Sequence, residues 1–102
     1  MTNSRDKGKR GEREVADFLK EHGFDARRGQ QFCGANGDAD VVGLPGYHIE
    51  VKRTERFDLY GAMEQSRSDA REGETPVVFH RRNRRGWVVV MDAEDFMRII
   101  QS

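Results

Sequence analysis

Residues 37–55 read GDADVVGLPGYHIEVKRTE. Pro45 and Gly46 have the chemistry of a tight turn, and the apolar residues on either side of them have the spacing of strands. The pattern predicts a hairpin with strands over 40–44 and 47–54. In the second strand, alternation sends Tyr47, Ile49 and Val51 to one face and His48, Glu50 and Lys52 to the other. One face therefore carries core and the other carries charge. If Asp40 ends the neighbouring strand, its carboxylate can approach Glu50 across the sheet. Two carboxylates at one sheet edge make an oxygen-rich site suited to a hard divalent cation such as Mg²⁺.

Upstream, GEREVADFLKEH (residues 11–22) places Val15, Phe18, Leu19 and His22 at the spacing of an amphipathic helix, and Gly23 stops it. Residues 1–7 read as a flexible tail. Residues 24–28 are a candidate first strand, followed by the glycine-rich loop GQQFCGANG. Downstream, 58–71 has helical spacing through Leu59, Ala62, Met63, Ser66 and Ala70. Pro76 opens the strand Val77-Val78-Phe79, and 87–91 is a continuous apolar run that predicts a strand buried on both faces. Asp92 is a candidate N-cap for a last helix whose apolar side is Phe96, Ile99 and Ile100. The order is helix, three strands, helix, two strands, helix: an α/β fold with a central mixed sheet of about five strands flanked by helices.

The chain has 102 residues, which leaves room for one domain over 1–102 with a thin core. Its 18 basic and 18 acidic residues cancel, so charge bears on partners only through its distribution. Cys33 is the only cysteine, which excludes an intramolecular disulfide and a cysteine-rich zinc site and fits a reducing cytoplasm. No stretch approaches the ~18 apolar residues of a membrane span, so no membrane partner is expected.

A further carboxylate comes from the first helix. Taking roughly 100° per residue, Glu12 falls about 50° from the centre of the apolar side, whereas Arg13 and Glu14 fall well outside it. Glu12 is thus the glutamate turned toward the sheet, where it needs a cation or hydrogen bonds to compensate it.

KGKRGEREVADFLKEHGF, followed by GDADVVG and HIEVKRTE, resembles the core of the PD-(D/E)XK nuclease superfamily. It is most similar to the archaeal-type Holliday junction resolvases and their phage and bacterial relatives. The resemblance implies a restriction-endonuclease-like fold, hydrolysis of phosphodiester bonds in DNA, branched DNA as substrate, Mg²⁺ as cofactor with Mn²⁺ as its substitute, and a homodimer. It assigns catalysis to Glu12, Asp40, Glu50 and Lys52. The metal would be held by Asp40, Glu50, the backbone carbonyl of Val51, and Glu12 directly or through water. Ala39 stands where the motif's name puts proline. Asp38 is the alternative to Asp40 as ligand, since both would share a face.

The remaining candidates are weaker. Arg81, Arg82, Arg84 and Arg85 crowd the loop HRRNRRG, and Lys7, Lys9 and Arg10 crowd the N-terminus; either group is a solvated charge run or a set of phosphate contacts. Gln65 could face a substrate from the second helix, although helix-surface glutamine is commoner. His48 is read as a hydrogen-bonded neighbour of Glu50 rather than a ligand. Trp87, Phe79 and Phe96 are read as core.

Overall fold

The computed structural model describes residues 4–30 and 39–102 of the chain. Its elements are α1 (Ser4–Glu21), β1 (Arg27–Arg28), β2 (Val41–Val42), β3 (Tyr47–Arg53), α2 (Leu59–Asp69), β4 (Thr75–Arg81), β5 (Val88–Met91) and α3 (Ala93–Gln101). This is the expected element order, and the five strands form one mixed sheet in the order β1-β2-β3-β4-β5. The predicted hairpin is present: Val41 pairs with Ile49, and Tyr47 N–H donates to Leu44 O at 3.2 Å to close the turn. Gly43 permits the tight passage against β1, with φ +109° and a position where a Cβ would lie 2.6 Å from Ala26 Cα.

β3 and β4 are parallel, so α2 crosses over between them. α1 covers one face, where Val15, Ala16 and Leu19 pack with Val41, Ile49, Val51, Val77 and Phe79. α2 covers the other, where Ala62 and Met63 pack on Val78. Ser66, fully buried there, donates to His48 O and Val77 O, so its hydroxyl ties α2 to both parallel strands. Pro76 is the second residue of β4 and pairs with His48. Thr75 N–H points toward the β3 side, so the N–H that Pro76 lacks would have pointed the other way, before the pairing with β5 begins.

Four expectations need correction. α1 begins at Ser4 rather than at residue 11, so residues 4–7 are helical and not part of a tail; lysine, arginine and glutamate are good helix formers, and the helix is anchored at its middle. β1 and β2 have two residues each, shorter than the predicted runs. β5 is not buried on both faces: Val88 and Val89 are 53% and 51% exposed, because it is an edge strand and α3 does not return to cover it. α3 buries none of its residues, and Phe96, Ile99 and Ile100 face outward. Asp92 sits at the N-cap of α3 but makes no capping bond with its side chain; its carboxylate instead takes both arms of Arg67, at 2.9 and 2.6 Å.

Candidate active site

β2 ends where the charged face of β3 begins, and Asp40 occupies that end. Its N–H donates to Ile49 O at 3.0 Å, its carbonyl accepts from Gly29 N–H at 2.9 Å, and its Oδ2 accepts from Val51 N–H at 2.8 Å. The carboxylate thus stands in for the next residue of the ladder. Because the N–H and C=O of one strand residue face the same edge, the Val51 carbonyl opens toward the same place. Glu50 is buried beside it and shares a hydrogen bond with Asp40, and Lys52 Nζ lies 3.9 Å from Glu50 Oε2.

Glu12 arrives from α1, which lies close to β3 because Gly11 has no side chain: a Cβ there would be 2.8 Å from Arg53 Cβ. Arg28 Nε donates to Glu12 Oε1 at 3.0 Å. One hydrogen bond and one ion pair also steady the helix against the sheet. Arg81 donates to Glu14 at 2.9 Å, and Arg53 lies 3.5 Å from the same carboxylate.

All three carboxyl groups are pushed above their ordinary range. Burial is the first cause at Glu50, followed by the charge of Asp40, and together they raise it to about 8 against the opposing pull of Lys52. Burial raises Asp40 as well, opposed by the Val51 N–H. Burial and then Asp40 raise Glu12, with Arg28 opposing. Such a cluster is short of positive charge.

Glu12, Asp40, Glu50, Lys52 and Gln65 line one open cleft of about 710 Å³. Gln65 therefore lies on the cleft wall, a placement that the weak apolar stripe of α2 did not indicate. Asp38 falls outside the described residues. Lys7 also borders the cleft, whereas Lys9 and Arg10 are exposed nearby on α1. Arg81 is engaged by Glu14 and lies 5.9 Å over the Trp87 ring. Arg82, Arg84 and Arg85 are exposed on the β4–β5 turn, which joins the cleft's end of the sheet through Arg53–Asn83 and Asn83–Glu55 bonds.

Sequence reading missed Arg28, Arg56 and Asp69. Arg56 is exposed on the cleft wall formed by the β3–α2 loop. Only the fold brings Arg28 to Glu12. Asp69 stands three residues after buried Ser66, on the side of α2 that faces the sheet, and helical spacing was a usable sign for it. His48 and Asp69 lie beside Glu50, with ligating atoms of all three within 4.8 Å of one another.

The profile of the family described as "Phage putative PDDEXK endonuclease" matches residues 3–102. Among solved structures, Hjc, a Holliday junction resolvase from the archaeal hyperthermophile Archaeoglobus fulgidus, is similar with a TM-score of 0.62 and 28% sequence identity. The likeness covers 83% of this chain and 72% of that one. No curated protein matches the chain.

Proposed function

The chain belongs to the phage PDDEXK endonuclease family, and from that premise we propose that it is a metal-dependent DNA endonuclease selective for branched DNA, in the manner of a junction resolvase. The observation that carries this reading is the meeting of Glu12, Asp40, Glu50 and Lys52 in one cleft from three separate elements. The donor set fits a hard divalent cation: three carboxyl groups held above their ordinary range, with a carbonyl on the same edge. Asp40, Glu50 and the Val51 carbonyl would hold Mg²⁺, with Glu12 binding directly or through water and Mn²⁺ able to substitute. Bound there, the ion supplies Lewis-acid polarisation of the phosphodiester and a more acidic water.

The protein's own groups do the rest. Lys52 brings a fixed positive charge to the place where the phosphate gains negative charge during attack, and orients the water through its ammonium donors. Asp40 is fixed beside β3 by accepting from Val51 N–H with its carboxylate. Arg56 and Lys7 border the cleft as phosphate contacts, and Arg82, Arg84 and Arg85 extend the basic rim.

A four-way junction is cut symmetrically by two active sites, which calls for a homodimer. The uncovered apolar side of α3, with Phe96 51% and Ile100 60% exposed, together with edge strand β5, supplies the surface for a second copy. Ile100→Glu should then yield monomers by light scattering and uncouple the two incisions.

The test is cleavage of a mobile four-way junction against matched linear duplex and flap DNA in Mg²⁺. Preference for the junction supports the reading, equal rates on all three would sink junction selectivity, and binding without cleavage in Mg²⁺ and Mn²⁺ would leave only a DNA-binding role.

A further inference from the structure

Glu50 has two sets of neighbours. The cleft uses one, toward Asp40 and Lys52. Nearer the hairpin turn, on the same face of β3, stand His48 and Asp69, which play no part in the proposed hydrolysis.

His48 lies two residues before Glu50 on the same face of β3 and is only 4% exposed. A buried imidazole ordinarily satisfies its ring nitrogens with hydrogen bonds. Among the described residues, the side-chain contact of this one is an ion-pair approach of Nδ1 to Glu74 Oε1 at 3.7 Å, a carboxylate that lines the same cavity as His48. Asp69 comes from the last turn of α2 and is exposed, with no ion pair to a described residue. The ligating atoms of His48, Glu50 and Asp69 all lie within 4.8 Å of one another.

That spacing suits one ion. Ligands bound at roughly 2.0–2.2 Å to a common cation stand no more than about 4.4 Å apart, a difference that small side-chain movements close. The same two residues, His48 and Asp69, also line a cavity of about 220 Å³ with Arg71 and Glu74, which leaves room for water to complete a coordination shell. An ordinary acidic surface cluster differs from this one, since two of the three donors are buried and one is a nitrogen.

We propose that His48, Glu50 and Asp69 bind a second divalent cation, of the transition series rather than Mg²⁺, on the α2 side of β3. An imidazole nitrogen joined to two carboxylates favours Mn²⁺ or Zn²⁺, whereas Mg²⁺ prefers an all-oxygen shell. Glu50 is common to this position and to the cleft, so occupancy of one changes the affinity of the other. The proposal needs no DNA cleavage to hold.

The experiment uses the full chain without DNA. Pulsed EPR of bound Mn²⁺ should detect nitrogen coupling from an imidazole, absent in His48→Gln and retained in His22→Gln. Calorimetric Zn²⁺ titration should show affinity at least tenfold weaker in Asp69→Asn, an exposed substitution that leaves the core intact. Bound Mn²⁺ without nitrogen coupling would overturn the proposal, as would Zn²⁺ binding unchanged in Asp69→Asn. Junction cleavage by the wild-type chain in Mg²⁺ reports separately on the nuclease reading.

Discussion

Strand β3 has two faces of opposite character. Toward α1, Ile49 and Val51 join Val15 and Leu19 in a dry core. Toward α2, the same strand buries His48 and Glu50 and half-buries Lys52. The first face stabilises the fold by removing apolar surface from water. The second works against it, because a buried carboxyl must give up its charge or find a cation. Side chains one residue apart thus have opposite effects on stability, which points to chemistry as the reason for the charged face.

The largest expected effect is on activity. Lys52→Ala should lower junction cleavage on the order of 10²–10³-fold, with binding and melting temperature retained; a mutant that cuts normally would remove the lysine from the proposed chemistry. On the apolar face the outcome should invert. Ile49→Ala should cost about 2–5 kcal/mol of stability, read by denaturant unfolding, while the remaining folded molecules keep wild-type cleavage per site.

Between these lies a pH effect. Glu50 is held at about 8 in the folded chain, above its ordinary value, so the folded state binds a proton that the unfolded state releases. The contribution is complete below about pH 4.5 and is lost as pH rises toward 8. In EDTA, stability should fall by on the order of 1 kcal/mol per pH unit in that window, and Glu50→Gln should flatten the slope. Mg²⁺, which displaces the proton, should bind more tightly as pH rises. A metal-free melting temperature independent of pH in that window would count against the buried acid. The smallest effect is expected away from both faces: Arg85→Gln should weaken DNA binding modestly on all substrates and reduce its salt slope by about one.

Periodicity was sufficient for much of this. The alternation in HIEVK specified which β3 residues face the core, the Leu-Pro-Gly-Tyr turn specified the hairpin, and the phase of Glu12 relative to Val15 and Leu19 turned it toward the sheet. The same logic failed at α3. Its apolar side was as readable as that of α1, yet among the described residues it joins neither core cluster, because an amphipathic pattern says that a face needs a partner and not which one. Arg81 shows the limit for charge. It looked like its neighbours in HRRNRRG, but packing of α1 on β4 gave it Glu14 as a partner.

Local order along the chain was therefore enough for element types, the hairpin and the faces that carry Glu12, Glu50 and Lys52, because these depend on periods of two and 3.6 residues and on turn chemistry, whereas the family resemblance chose Asp40 over Asp38. Contacts between distant residues decided the rest. They brought Arg28 to Glu12 and Asp69 beside His48, and they left α3 and β5 uncovered. Such outcomes depend on which surfaces meet across the sheet, and no window of sequence contains both partners.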